Sequence, residues 1–164
     1  MAFDIEDQFS VNFLTSMQSH KVRYMLIGGV ALNFHGVNRT TQDMDIWLAP
    51  TNTNRDLFYK VLLDLEYTEE EIEDIKTEDF TAIFKCTIGD SPDTIDCLTV
   101  VHPSINFDEA EKTMITHDIG NGVMLNVVDY DYLRKMKLLT HREKDWYDVA
   151  RLDEFKKNNK TNNL

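Results

Sequence analysis

Apolar residues recur along this chain in two alternating periods, and the switches between them mark its elements. Phe9, Phe13, Leu14 and Met17 fall at helical spacing, which predicts a helix over residues 4–20, with Asp4, Glu6 and Asp7 favourable near its positive end. Residues 23–27 form a short apolar run that reads as a strand. Gly28-Gly29 follows, then a second apolar stretch over 29–35 that reads as a helix ended by Gly36. After a polar loop at 38–42 the period becomes two. Met44, Ile46 and Leu48 alternate with Asp43, Asp45 and Trp47, so a second strand carries apolar groups on one face and two carboxylates on the other.

Pro50 ends that strand, and Thr51 or Asn52 can cap a third helix reaching Leu65 through Leu57, Phe58, Val61 and Leu62. Residues 69–79 hold seven acidic side chains, the pattern of a solvated helix face or loop. Strands are expected at 81–88 and 94–101 around Gly89-Asp90-Ser91-Pro92-Asp93, and at 112–118 and 123–128 around Gly120-Asn121-Gly122. Helices at 130–140 and 143–157 close the chain. The expected class is α+β, a mixed sheet flanked by helices, in one domain over residues 1–157 with a disordered polar tail at 158–164.

Composition narrows the functional classes. The 164 residues suffice for a buried core, and a net charge of −12 argues against coating nucleic acid by general electrostatics. Cys86 and Cys97 are too few for a disulfide framework and lack metal-site spacing; they read as reduced core thiols, neighbours across a hairpin. The N-terminal residues lack signal-peptide character, and no apolar run approaches the roughly 20 residues of a membrane span, so the expected compartment is the cytoplasm.

Two carboxylates at i and i+2 on a strand point the same way, roughly 6–7 Å apart at their bases, and can bridge divalent metal ions. Asp96 is a lone charge in a later apolar strand, with Leu98 and Val100 on its own face. An acid there is costly unless it is paired, metal-bound or solvated in a cleft. The order is selective: strand, Gly28-Gly29, helix, thirteen residues, Asp43-Met44-Asp45, and then Ile95-Asp96-Cys97. It resembles the nucleotidyltransferase superfamily related to DNA polymerase beta. Arg39-Thr40-Thr41-Gln42-Asp43-Met44-Asp45 is similar to the Arg-x-Thr-x-Asp-x-Asp run of small bacterial members, abortive-infection-type toxins and small antibiotic nucleotidyltransferases among them. Residues 133–149, with Lys137, Lys144, Asp145 and Asp148, resemble the family's closing element. In place of the Ser that many members carry after the first Gly, this chain has Gly29.

The resemblance implies transfer of a nucleoside monophosphate from an NTP, such as ATP, to an acceptor with release of pyrophosphate, using two Mg2+ ions. Asp43, Asp45 and Asp96 would be the catalytic, metal-holding acids. Gly28, Gly29, Arg39, Thr41, Lys137 and Lys144 would bind the nucleotide, with Arg39 in a bracing role. The acceptor stays open between RNA or tRNA, protein and a small molecule such as an antibiotic; the toxin-like members imply an antitoxin as partner. The basic stretch 133–144 suits RNA, whereas the overall acidity suits an amine-bearing drug. Asp145 and Asp148 read as salt-bridge partners of the basic helix, His35 as a packing histidine, and Trp47 as a core residue that could otherwise stack on a base. The alternative reading is a non-catalytic nucleotide-binding or partner-binding module on the same scaffold.

Overall fold

Six short strands, each bounded by a cap or a turn, assemble into one mixed sheet in the computed structural model, which describes residues 4–91 and 93–161. The strands are β1 (Tyr24–Ile27), β2 (Asp43–Leu48), β3 (Lys85–Ile88), β4 (Thr94–Leu98), β5 (Ile115–Asp118) and β6 (Met124–Val127). Their order across the sheet is β3-β4-β2-β1-β6-β5. The β2–β4 and β1–β6 pairs are parallel and the other three antiparallel. Parallel neighbours need a crossover. Between β2 and β4 the connection includes α3 (Asn52–Asp64) and a 3-10 turn at Glu73–Thr77, inside the acidic segment.

The remaining helices are α1 (Gln8–Ser19), α2 (Gly28–Phe34), α4 (Phe107–Glu111), α5 (Tyr130–Leu139) and α6 (Glu143–Thr161). α1 starts later than the periodicity suggested because Asp7 caps it, its carboxylate accepting from the Phe9 and Ser10 amides. Thr51 caps α3 in the same way. Asn54, buried on α3, accepts from the Arg23 amide at 2.8 Å and donates to the Arg23 and Ala49 carbonyls at 2.9 and 3.2 Å. That one amide pins α3 beside β1 and the end of β2, with every polar atom satisfied.

The expected strands at 81–88 and 94–101 are trimmed where the Thr99 hydroxyl intervenes. It accepts from the Phe84 amide at 2.9 Å and donates to the Ala82 carbonyl at 2.7 Å, so a side chain holds these strand ends. α4 was not foreseen; Asn106 caps it, and five residues are too few to show a helical period. α6 corrects the expected tail, since helix continues through residues 158–161; residues 162–164 lie outside those described. Phe13, Leu14, Met17, Met25, Leu26, Met44, Ile46, Trp47, Phe58, Leu62, Ile95, Leu125 and Val127 form the fully buried centre. Among the described residues no helix is long and apolar enough to cross a membrane.

Candidate active site

The β2–β4 register places Asp45 directly beside Asp96, and Asp43 beside Thr94. Alternation along the strands then puts Asp43, Asp45, Asp96, Lys85 and Thr87 on one face, with Met44, Ile46, Ile95 and both cysteines on the other. Ile27, the last residue of β1, pairs with Asp45, so the chain leaves the sheet beside that carboxylate. Gly28 takes a φ of 69°, a left-handed conformation that favours glycine, and a Cβ there would overlap Asp45 Oδ2. A Cβ on Gly29 keeps an ordinary backbone but would sit 2.9 Å from Thr41 Cβ and Oγ1. The two glycines therefore let a turn of main chain lie against the acidic pair and the loop before it.

These residues line a cleft of about 470 Å³. Its walls bring together all nine residues singled out from the sequence: Gly28, Gly29, Arg39, Thr41, Asp43, Asp45, Asp96, Lys137 and Lys144. Lys85 and Arg142 join them, along with His102 and an apolar side made by Leu98, Val101, Leu133, Met136 and Leu139. Lys85 escaped the sequence reading, and its signal was two-residue spacing from Thr87 opposite Asp96 on a hairpin.

Electrostatically the acids are under-compensated. Burial, then the nearby Asp96 and Asp43 carboxylates, push the Asp45 carboxyl up to about 6, against the opposing pull of Lys137 and Lys85. Asp96 accepts from the Thr87 hydroxyl on Oδ1 and lies 3.3 Å from Lys85 Nζ through Oδ2. Asp43 Oδ1 accepts from the Thr94 hydroxyl at 3.3 Å. Thr41 donates to the Asp43 carbonyl at 3.2 Å and so orders the entry to β2.

Among the described residues no three His, Cys, Asp or Glu side chains gather into a ready-made metal cage. The donor set nevertheless fits magnesium. That ion is held by one or two carboxylates together with substrate phosphates rather than by an all-protein shell. Three carboxylates share one face, and burial first and the neighbouring acids second raise the proton affinity of Asp45, so a divalent cation there would relieve the repulsion.

The closing helices are arranged differently from the sequence expectation for a cationic surface. Lys137 is buried, and its Nζ lies 2.9 Å from Asp145 Oδ1 and 3.0 Å from Asp148 Oδ2. Arg142 pairs with Asp145, Arg134 with Asp153 at 2.9 Å, and Arg39 with Asp148 at 3.4 Å. The Asp145 and Asp148 salt bridges thus stand as expected, and they engage Lys137 and Arg142 of the basic stretch. Trp47 is buried, donating to the Thr99 carbonyl at 3.0 Å with its ring edge-on to Phe107, so it is no base-stacking platform. His35 packs as expected, with Nε2 2.7 Å from the Val128 carbonyl.

No family sequence model and no curated protein sequence matches the chain. Similarity lies in three dimensions. The solution structure of the antibiotic-resistance factor ANT(2'')-Ia aligns over 88% of this chain and 82% of its own, with a TM-score of 0.53 and 10% identity. The lincosamide antibiotic adenylyltransferase LnuA, crystallised with lincomycin, aligns over 94% and 99%, with a TM-score of 0.51 and 15% identity. An antigenic nucleotidyltransferase-like protein from Paracoccidioides brasiliensis aligns over 94% and 78%, with a TM-score of 0.51 and 14% identity. The mixed sheet and its glycine turn thus belong to a fold that this chain shares with these three solved structures, an antibiotic-resistance factor, an antibiotic adenylyltransferase and a nucleotidyltransferase-like protein.

Proposed function

We propose that the protein is a magnesium-dependent nucleotidyltransferase that moves a nucleoside monophosphate from an NTP to a hydroxyl of a small molecule. The observation that carries this reading is the side-by-side register of Asp45 and Asp96, with Asp43 two residues away and the Gly28-Gly29 turn against them. The acceptor oxygen bonds to the α-phosphorus, the bond to the β-phosphate oxygen breaks, and pyrophosphate leaves. Asp43 and Asp45 would hold the cations, and Asp96 would orient the acceptor hydroxyl and take its proton. Bound Mg2+ supplies charge neutralisation for the triphosphate and lowers the acceptor's proton affinity.

Gly28 and Gly29 keep the main chain free of side-chain bulk where the phosphates would lie. Lys144, on the cleft wall with no acid paired to it among the described residues, is the triphosphate contact. Lys137 and Arg39, both tied to Asp148, act as braces whose charge is felt in the cleft. Little covalent work falls to the protein, so positioning and preorganised charge supply the rate.

A small acceptor is favoured over RNA because Arg134, Lys137 and Arg142 are engaged by Asp153, Asp145 and Asp148. The antibiotics of the ANT(2'')-Ia and LnuA class are consistent with that choice. The test is transfer of label from α-labelled NTPs, with Mg2+, to a panel of antibiotics and to total cellular RNA. We expect labelled small molecules, and a loss of about 100-fold or more in Asp43→Asn and Asp45→Asn. Full activity in either variant overturns the assignment. Nucleotide binding without turnover on any acceptor would point to the non-catalytic module instead.

A further inference from the structure

Strand β3 faces Asp96 with two polar side chains at i and i+2, and the carboxylate's oxygens are divided between them. Oδ1 accepts from the Thr87 hydroxyl, and Oδ2 is held by Lys85 Nζ at 3.3 Å. Thr87 stands directly opposite Asp96 in the antiparallel register, so its bond is short and fixed by the backbone. Lys85 differs in kind. Its partner across the strand is Leu98, it reaches Asp96 diagonally along a flexible stem, and its side chain is 62% exposed whereas that of Asp96 is 21% exposed. β3 is also the edge of the sheet, so Lys85 can swing outward without disturbing a neighbouring strand.

We propose that Lys85 is a resident counter-ion of this carboxylate cluster, holding Asp96 Oδ2 aimed into the cleft and giving way when a divalent cation is bound. The inference rests on the metal-dependent reading above. Thr87 keeps the carboxylate's rotamer through the exchange, and Lys85 is a positioning residue that touches Asp96 only in the cation-free state. An ion pair so exposed is weak, which makes it exchangeable.

The test uses Mn2+ as probe, in calorimetry and in amine-reactive footprinting of the full chain. In wild type, Lys85, exposed but paired with Asp96, should become more reactive toward an acylating ester when Mn2+ is added. In Asp96→Asn it should be reactive from the start and indifferent to Mn2+. Lys85→Gln should bind Mn2+ about threefold more tightly than wild type, while Lys85→Arg, which restores the charge, should return the affinity to near wild type. Unchanged affinity in Lys85→Gln, or Lys85 reactivity that ignores bound Mn2+, overturns the counter-ion role and leaves the metal reading intact. A wild-type protein that binds no Mn2+ at all, with or without an NTP analogue, overturns both.

Discussion

Single atoms decide whether this cleft exists. Gly28 combines a positive φ with a carboxylate where a Cβ would go, so Gly28→Ala meets two penalties at once. The conformational part alone is about 1–2 kcal/mol, and relieving the overlap means turning Asp45 away. We expect a lower thermal midpoint and loss of nucleotide transfer together, read by scanning calorimetry and the label assay. Gly29→Ala keeps an ordinary backbone and should lose less stability. Lys137 is the other atom-scale pivot, since removing it leaves two buried carboxylates without their shared cation. Lys137→Met should cost roughly 3–5 kcal/mol in urea unfolding. The sequence marked both residues, but for Lys137 it carried no sign of burial, because a lysine in a basic stretch looks alike whether it meets solvent or two acids eight and eleven residues on.

The elements were legible where a period had room to repeat. Helices α1, α3 and α5 and strand β2 follow the alternation of their residues, and the capping side chains Asp7, Thr51 and Asp129 sit where the first turns need an acceptor. The same pattern overran at β3 and β4, because nothing local reveals that the Thr99 hydroxyl will replace main-chain pairing. It fell silent at α4. At the α5–α6 corner the chemistry is titratable. Burial raises the proton affinity of Asp145, but the Thr140 hydroxyl, Lys137 and Arg142 outweigh it and hold the carboxyl below its ordinary 3.8. A carboxyl lowered on folding contributes stability above its unfolded value and loses it as pH falls through the folded one. Unfolding free energy should therefore drop on going from about pH 6 to about pH 3, and Asp145→Asn, less stable at neutral pH, should show a shallower drop.

For the whole molecule, the excess of 12 negative charges is a self-repulsion partly relieved by the internal pairs. Screening it should help the compact state. The thermal midpoint should rise when NaCl is taken from about 10 mM to about 150 mM. A fall would show that the ion pairs at Arg23, Arg134 and Lys137 dominate over the net charge. The fold class was readable at this scale from the order of helices and strands. The acceptor was not, because no motif specifies it and the cleft's apolar wall joins Leu98 and Val101 to Leu133, Met136 and Leu139 of the distant helix α5.

The in-register pairing of Asp45 with Asp96 also has a kinetic meaning. Gly28, Asp43 and Asp45 lie within one hairpin-sized stretch and can come together early, whereas Asp96 arrives only when β4 docks alongside β2 across a loop of about fifty residues. Long-range parallel pairing is the slow part of folding. On the metal-dependent reading, a refolding chain should thus regain its β1–β2 structure before it can hold a divalent cation, and recovery of Mn2+ binding should report the docking of β4 against β2.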